Sequence, residues 1–402
     1  MTGTAYELIV IGAGIFGLTA AIELRQRGYR VALLDPGPLP HELAASTDIS
    51  KVVRMDYGAD ELYMRMGEAA RQGWLAWNKS LFAEPLYHEV GMLFLNTTPM
   101  SPHSYEYESY QMLQKRGHQP ERLNALDIAA RFPAWREGVF VDGYLNPQAG
   151  YAESGRVVEA LLRLAQESGV SLHTNATASR LLANGSRVIG VQTAQGASFF
   201  GDHIVVAAGA WTPLLVPDLG PVMVAVGQPV FHLKAPKPDL FQPPNFTVFA
   251  ADISQTGWYG FPWHPQARVV KIANHGVGRR IHPARDPRQV SSEDIQFLRS
   301  FLTESLPMLA EAPIVYTRVC LYCDTLDEHF WIDRHPSYTG LTVSAGGSGH
   351  AFKFAPLLGS LTADAVEGKP NPFGSRFRWR ELGQDTRGEE AARNHHEWQP
   401  AE

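Results

Sequence analysis

A glycine-rich turn near the start of the chain constrains the fold more than any other feature. Residues 7–11 (ELIVI) have the composition of a buried strand and lead directly into residues 12–17 (GAGIFG). A helix is predicted from this turn to about Gly28, followed by a second strand over residues 30–34 that ends at Asp35. Strand, glycine turn, helix and second strand in this order are typical of a unit that binds a dinucleotide.

Each glycine of the turn has a physical role in such a unit. Gly12 allows the tight turn, Gly14 lets a pyrophosphate approach the backbone, and Gly17 lets the helix pack closely against the strand. The N-terminus of the helix then faces the phosphates. Asp35 suits hydrogen bonds from a ribose and disfavours the 2′-phosphate of NADP. The alternative is a glycine-rich turn in an ordinary α/β domain.

Composition limits the class of partner. The 402 residues can form two domains or one elaborated domain, and a net charge of −6 argues against nucleic acid or an anionic membrane. The early strand leaves no room for a signal peptide, and no apolar run approaches the roughly 18 residues of a membrane span. Only two cysteines, Cys320 and Cys323, are present, which suits a reducing compartment. We therefore expect a cytoplasmic protein that acts on a small molecule.

The later glycines favour FAD over NAD. No second GxGxxG sequence occurs, which argues against separate FAD and NAD domains. Residues 341–345 (LTVSA) form a predicted strand that meets residues 346–349 (GGSG) and a helix over residues 350–366 capped by Gly368. An extended flavin needs a second segment of the protein against its ring, as this turn would provide. A helix N-terminus there stabilises the negative charge of the reduced ring.

These features predict an α/β fold in which a Rossmann-like FAD-binding domain is interleaved with a mixed-sheet α+β substrate domain. The first domain is assigned to residues 1–90, 150–217 and 335–380, and the second to residues 91–149 and 218–334. Residues 381–402 are charged and are expected to be disordered.

Residues 318–336 (RVCLYCDTLDEHFWIDRHP) resemble the flavin-attachment segment of the monomeric sarcosine oxidase family. This family of amine oxidases, in the D-amino acid oxidase superfamily, includes N-methyltryptophan, pipecolate and fructosyl amino acid oxidases. The resemblance covers most of residues 6–370, including SKVVR at 50–54, WYGFP at 258–262 and GSGHAFK at 347–353. It implies FAD bonded covalently through the sulfur of Cys320.

The two cysteines also allow a CxxC redox pair or half of a zinc site. Residues three apart on a strand point to opposite faces, which hinders a bridge, and no second cysteine pair completes a zinc site. Cys320 shares its face with Tyr322, which would place that phenol toward the flavin. Cys323 would face the other way.

The resemblance implies catalytic roles for Lys271, His275 and Tyr322. Lys271 corresponds to a cation over the flavin that assists the reaction with oxygen, although the sequence alone also allows a surface lysine with a buried stem. Arg54 and Lys353 match two cations that hold the substrate carboxylate, through charge-assisted contacts of about 1.5 to 3 kcal/mol each. Without the resemblance, either could be a solvated charge.

Further residues are assigned to the pocket by the same resemblance. Tyr259 joins Arg54 and Lys353 as a substrate-binding residue. The residues expected to bind the cofactor are Gly12, Gly14, Ile15, Phe16, Gly17, Asp35, Ser46, Lys51, Ala176, Cys320, Gly347, Gly349, His350 and Lys353. No metal ligand is predicted.

The substrate cues disagree with one another. Lys51 matches the fructosyl amino acid oxidases, where sarcosine oxidases carry arginine, whereas His275 matches the sarcosine type. Residues 376–380 (RFRWR) resemble an arginine-rich end of the fructosyl enzymes, where an arginine can contact substrate, and are equally typical of a surface turn. The N-substituent of the substrate is therefore left open.

The predicted function is oxidation of a secondary α-amino acid by FAD, with hydrolysis of the imine and reduction of oxygen to hydrogen peroxide. A fructosyl amino acid (Amadori) oxidase is one alternative. An amine dehydrogenase with a different electron acceptor is another, and a flavin-binding module without catalysis is a third. Lys271 favours an oxidase, since only an oxidase needs a cation for oxygen. The protein is expected to be a monomer.

Overall fold

The computed structural model describes residues 6–383 and 385–395, which contain both strands and helices. Within these residues the strands are β1 (Tyr6–Ile11), β2 (Val31–Leu34), β3 (Lys51–Val53), β4 (Tyr87–His88), β5 (Met92–Asn96), β6 (Glu121–Asn124), β7 (Asp142–Asn146), β8 (Gly150–Ala152), β9 (Ser171–His173), β10 (Ala178–Asn184), β11 (Arg187–Thr193), β12 (Ser198–Val206), β13 (Met223–Leu233), β14 (Val248–Ala251), β15 (Trp258–Phe261), β16 (Val270–Asn274), β17 (Arg279–Arg280), β18 (Ile314–Thr325), β19 (Trp331–Arg334) and β20 (Leu341–Ala345). The α-helices are α1 (Ile15–Gln26), α2 (Glu61–Ser80), α3 (Tyr105–Lys115), α4 (Ala125–Arg131), α5 (Ser154–Glu167), α6 (Thr212–Leu215), α7 (Ile253–Thr256), α8 (Ser292–Ser305) and α9 (Ala355–Glu367).

The first sheet is built around β1. This strand lies parallel to β2 on one side and to β12 on the other, with β9 beyond β2 and β20 beyond β12. Its residues alternate between two cores: Leu8 and Val10 pack with α1 and α9, whereas Ile9 and Ile11 pack on the opposite face. Burial on both faces explains why β1 is apolar at successive positions.

The second sheet has nine strands in the described part of the chain. Its order is β17-β13-β16-β15-β14-β5-β7-β6, with β18 paired to β13. Pairing is antiparallel except between β14 and β5, so this sheet is mixed. A small third sheet has the order β3-β8-β4. Along the chain, its strands lie between strands of the two larger sheets. The predicted fold class, α/β with a mixed second sheet, is confirmed.

Sheet membership can be compared with the predicted domains. Strands of the first sheet come from residues 6–34, 171–206 and 331–345, and those of the second from residues 92–146 and 223–325. β19 lies in the first sheet although its residues fall in the stretch assigned to the substrate domain. The domain boundaries themselves stay a prediction.

The turn after β20 delays the last helix. Gly346, Ser348 and Gly349 have φ values of 69°, 43° and 76°, which are outside the helical region. A 3-10 turn at Phe352–Phe354 follows, and α9 begins at Ala355 rather than at residue 350 as predicted. The predicted cap at Gly368 is confirmed, since this residue is left-handed with φ 70°.

Residues 385–395 differ from the disorder expected of a charged segment. Glu390, Ala392, Arg393 and Asn394 are all buried, because the charged side chains find partners inside the protein. Residues 384 and 396–402 of the predicted tail lie outside the described residues. Among the described helices, none is both long and apolar enough to cross a membrane.

Candidate active site

A cavity of about 590 Å³ lies where the carboxyl ends of β1 and β2 meet the turn after β20 and the middle of β18. It brings together every predicted site residue except Gly17. These are Gly12, Gly14, Ile15, Phe16, Asp35, Ser46, Lys51, Arg54, Ala176, Tyr259, Lys271, His275, Cys320, Tyr322, Gly347, Gly349, His350 and Lys353.

The glycine turn forms one end of this cavity. Gly12 has φ +102°, and a Cβ there would lie 2.5 Å from the carbonyl oxygen of Ala207, the residue after β12. A Cβ on Gly17 would lie 1.8 Å from the carbonyl oxygen of Gly12, so only glycine lets α1 approach the turn. Gly17 therefore allows close packing of α1 against the turn, and it does not line the cavity.

Asp35 and Ser46 complete this end. Ala13 N donates to Asp35 Oδ2 and Gly37 N to Asp35 Oδ1, both at 2.8 Å, which leaves each carboxylate oxygen a further acceptor site. Ile15 N, in the first turn of α1, donates to Ser46 Oγ at 2.8 Å. An acid at the end of β2, a helix N-terminus and a glycine cradle fit a dinucleotide, and the floor at Gly346–Gly349 fits the ring end of FAD.

Lys271 lies at the far end of the cavity with a buried counter-ion. Its Nζ is 2.7 Å from Asp48 Oδ2 and donates to the Ser50 carbonyl at 2.5 Å. Burial lowers the pKa of Lys271 to about 8, although the charge of Asp48 opposes this shift. Burial would raise the pKa of Asp48, but Lys271 and His232 hold it well below its usual range. Lys271 is therefore a fixed, buried cation in the cavity wall.

Arg54 and His275 share a carboxylate that the sequence did not point to. Arg54 Nη2 lies 3.1 Å from Glu390 Oε1, and His275 Nε2 lies 2.7 Å from Glu390 Oε2. The second terminal nitrogen of Arg54, Nη1, is buried and has no hydrogen-bond partner. A buried guanidinium nitrogen without a partner is costly, so this atom is suited to an anionic ligand.

Lys353 ends a directional chain of hydrogen bonds. His350 Nε2 lies 2.9 Å from the carbonyl oxygen of Glu328, which can only accept, so Nε2 carries a proton. Burial holds the pKa of His350 well below its usual value, so the ring is neutral and Nδ1 accepts from the Tyr57 hydroxyl at 2.9 Å. That hydroxyl accepts in turn from Lys353 Nζ at 2.9 Å. The chain fixes the Lys353 amine beside Arg54.

Lys353 and Arg54 lie over the same aromatic ring. The Lys353 Nζ is 5.2 Å and the Arg54 Cζ is 4.7 Å from the centroid of Tyr57. Burial and the neighbouring charge of Arg54 lower the pKa of Lys353 well below its usual value. An anion bound between the two side chains would oppose both effects and favour the charged amine.

The two cysteines lie on opposite faces of β18, as their spacing predicted. Cys320 packs with Tyr322 beside Ala273, whereas Cys323 packs with Leu321 under the first sheet. Both thiols are free and buried. Burial raises the pKa of Cys323 to about 12, which disfavours a reactive thiolate there.

Tyr322 closes the floor of the cavity. A Cβ on Gly349 would lie 2.2 Å from the ring of Tyr322, so the phenol packs directly against the last glycine turn. Burial raises the pKa of Tyr322 well above its usual value, and that of Tyr259 also rises mainly through burial. Both hydroxyls therefore stay protonated and able to donate hydrogen bonds at neutral pH.

Three partners of the predicted residues were missed by the sequence reasoning. Asp48 lies inside the polar stretch near Arg54, but nothing in its neighbours indicates a contact with Lys271. Tyr57 carries no recognisable pattern. Glu390 lies in a segment whose charged composition indicated disorder. A buried lysine implies a buried acid nearby, and this was the one available indication of Asp48.

The arginines of residues 376–380 lie away from the cavity. Arg380 Nε is 2.6 Å from Asp327, and its guanidinium lies 4.3 Å from the Trp331 ring. Arg376 pairs with Asp60, the N-cap of α2. None of Arg376, Arg378 and Arg380 lines the cavity.

Residues 7–365 match the family model described as FAD dependent oxidoreductase. Since this match spans most of the chain, the protein belongs to the FAD-dependent oxidoreductase family. The match confirms the family predicted from the sequence and FAD as its cofactor.

Individual relatives are similar over almost their whole length. Monomeric sarcosine oxidase from Bacillus sp. (strain B-0618) is 26% identical over 371 residues, covering 91% of this chain and 93% of the relative. N-methyl-L-tryptophan oxidase from Salmonella heidelberg (strain SL476) is 29% identical over 376 residues, covering 92% and 96%. The predicted enzyme class, a flavin-dependent amine oxidase, is confirmed.

The fold is shared with a solved structure. The deglycating enzyme fructosamine oxidase from Aspergillus fumigatus (Amadoriase II) superimposes with a TM-score of 0.76 at 26% identity, covering 93% of this chain and 89% of that one. The shared fold therefore spans both the nucleotide-binding sheet and the mixed sheet.

Proposed function

We propose that this protein is an FAD-dependent oxidase of an N-substituted α-amino acid. The product is an imine that hydrolyses in water, and oxygen is reduced to hydrogen peroxide. The observation that carries the proposal is the unpaired Arg54 Nη1, buried beside Lys353 at the end of a cavity that also contains Lys271. Two relatives, named for sarcosine and N-methyl-L-tryptophan, support a secondary amino acid as substrate.

Arg54 and Lys353 are proposed to hold the substrate carboxylate. Arg54 Nη1 has no hydrogen-bond partner, and Lys353 donates to Tyr57 and to the His350 carbonyl, so its protonated form has one further proton to donate. A carboxylate between them would accept from both and fix the orientation of an α-amino acid. Tyr259 and His275 line the same end of the cavity and would contact the amine and its substituent.

FAD bound in this cavity supplies the two-electron acceptor for oxidation of the C–N bond. Lys271 is proposed to provide a preorganised positive charge for the reduction of oxygen, which requires no proton transfer from the lysine. Asp48 holds the Lys271 ammonium at a fixed position and favours its charged form. This cation favours an oxidase over a dehydrogenase with another electron acceptor.

Covalent attachment through Cys320 is also proposed. The thiol is buried in the cavity wall, on the same strand face as Tyr322 and opposite to Cys323. The N-substituent stays open between a small alkyl group and a sugar-derived group, as in an Amadori oxidase. We also retain a monomeric, cytoplasmic protein as a prediction.

The decisive experiment is a peroxide assay with the flavin-loaded protein over a panel of secondary amino acids. The panel contains N-methyl, N-carboxyalkyl, cyclic and fructosyl amino acids, each with its amide as a control. We expect peroxide in amounts equal to the amine consumed, with free acids preferred. Flavin reduction by the amine without peroxide formation would favour the dehydrogenase alternative, and turnover of amides as fast as acids would contradict the carboxylate contacts.

A further inference from the structure

A side chain from the C-terminal segment, residues 385–395, lies on the cation that the proposed function assigns to the substrate. Glu390 is only 3% exposed, and its carboxylate contacts Arg54 with one oxygen and His275 with the other. Arg54 and His275 both line the cavity. The protein therefore carries its own carboxylate on the guanidinium that is proposed to hold the carboxylate of an amino acid.

Polar contacts hold Glu390 in this place. Its backbone N–H donates to Glu328 at 3.0 Å, and three residues later Arg393 is buried against Asp324 and Glu328, at 2.6 Å and 3.2 Å. Asn394 N donates to the carbonyl of His275 at 3.0 Å. The segment is thus anchored to the cavity wall on both sides of the inserted carboxylate.

Only one of the two terminal nitrogens of Arg54 is paired with a carboxylate. Arg54 binds Glu390 through Nη2 only, and its buried Nη1 has no hydrogen-bond partner. A ligand carboxylate at Nη1 and Lys353 would lie close to Glu390, on the same guanidinium. Two carboxylates that share one cation repel each other, and each weakens the attraction available to the other.

We propose that Glu390 is an internal counter-anion of Arg54, with which a bound carboxylate must compete. The C-terminal segment would then set the affinity of the pocket for carboxylate ligands and would be a specificity-determining element. This inference depends on the proposed function, since it assumes that Arg54 receives a ligand carboxylate. Whether Glu390 moves aside or shares the guanidinium, its negative charge weakens the binding of an anion.

Glu389 offers a matched control on the same segment. Its side chain is 63% exposed and contacts His329 at 2.8 Å, away from Arg54. The substitutions Glu389→Gln and Glu390→Gln remove the same charge from adjacent positions. Both variants therefore lose the same net charge, and only Glu390→Gln removes the carboxylate from Arg54.

The experiment is a calorimetric titration of the flavin-loaded protein with propionate, a carboxylate that has no amine to oxidise. We expect Glu390→Gln to bind propionate roughly tenfold more tightly than wild type, or more, and Glu389→Gln to behave as wild type.

Two results would overturn the inference, and they differ from each other. If wild type binds propionate and Glu390→Gln binds it equally or more weakly, Glu390 supports Arg54 instead of competing with a ligand, and the proposed carboxylate site stands. If no variant binds propionate and amines without a carboxylate are oxidised as fast as amino acids, the proposed carboxylate site fails together with the role of Glu390.

Discussion

Lys271 Nζ lies 2.7 Å from Asp48 Oδ2, and both side chains are only 2% exposed. The pair joins the start of β16, in the mixed sheet, to the polar stretch that follows the nucleotide-binding unit. A buried lysine beside a buried acid keeps its charge, whereas the same lysine alone would tend to lose its proton. The state of this pair therefore determines whether the cavity wall carries a positive charge at Lys271.

Removal of the Lys271 charge should separate the two half-reactions. In Lys271→Met we expect reduction of the flavin by the amine to change by a modest factor, while reoxidation by oxygen slows by orders of magnitude. Stopped-flow absorbance under anaerobic and aerobic conditions measures each step. Lys271→Arg, which keeps a cation, should recover part of the lost reoxidation rate; equal slowing of both steps in Lys271→Met would indicate a structural role instead.

The same lysine predicts a pH dependence with a definite sign. Because the pKa of Lys271 is lowered to about 8, the ammonium is present below pH 8 and is lost as the pH rises through that value. The reoxidation rate should therefore fall above about pH 8. In Asp48→Asn the attraction that raises this pKa is absent, so the fall should begin about 1 to 3 pH units lower. An unchanged profile in Asp48→Asn would contradict the proposed coupling.

Covalent attachment of the flavin can be tested on denatured protein. Acid-precipitated wild type should keep its yellow colour, because a thioether to Cys320 survives unfolding, and Cys320→Ser should release the flavin into the supernatant. Cys323→Ser is the matched control, since Cys323 lies on the opposite face of β18 and should leave the bond intact. Complete release of flavin from wild type would show that no such bond forms.

The carboxylate contacts predict a preference for acids over amides. Arg54→Met should lose most of this preference, at a cost of about 2 to 5 kcal/mol in kcat/KM for the acid, because the substrate anion is left partly unpaired in a closed pocket. The double variant with Lys353→Met should cost less than the sum of the two single changes. Arg288→Met is a control, since Arg288 lines the same cavity but lies over Trp211. A lost preference in Arg288→Met would indicate a general charge effect.

The local features of the site could be predicted from the sequence, whereas its long-range ion pairs could not. Gly12, Gly14 and Asp35 follow from spacing, since the turn, the helix and the strand end are encoded within thirty residues. The opposite orientation of Cys320 and Cys323 follows from the period of a strand. Glu390 meets Arg54 across 336 residues of sequence, and no local pattern encodes such a contact.

Two further differences have physical causes that composition does not reveal. The last helix begins late because Gly346, Ser348 and Gly349 adopt left-handed backbone angles, and Gly349 lies where a Cβ would clash with the Tyr322 ring. The charged segment near Arg393 is buried because acids on β18 and the loop after it neutralise it. Charge content alone therefore does not predict whether a segment is exposed, because a charged side chain can be buried when an oppositely charged partner lies beside it.

The arrangement of β1, β12 and β20 also bears on the order in which the protein can be completed during synthesis. The Gly12 turn packs against Ala207, the residue after β12, and β12 pairs on its other side with β20, which ends at Ala345. A nascent chain that has emerged only to residue 190 therefore contains the glycine turn at residues 12–17 but lacks β12 and Ala207, against which this turn packs. Flavin capture should begin only when nearly the whole polypeptide has left the ribosome, and the segment around Glu390 is the last of the described residues to arrive.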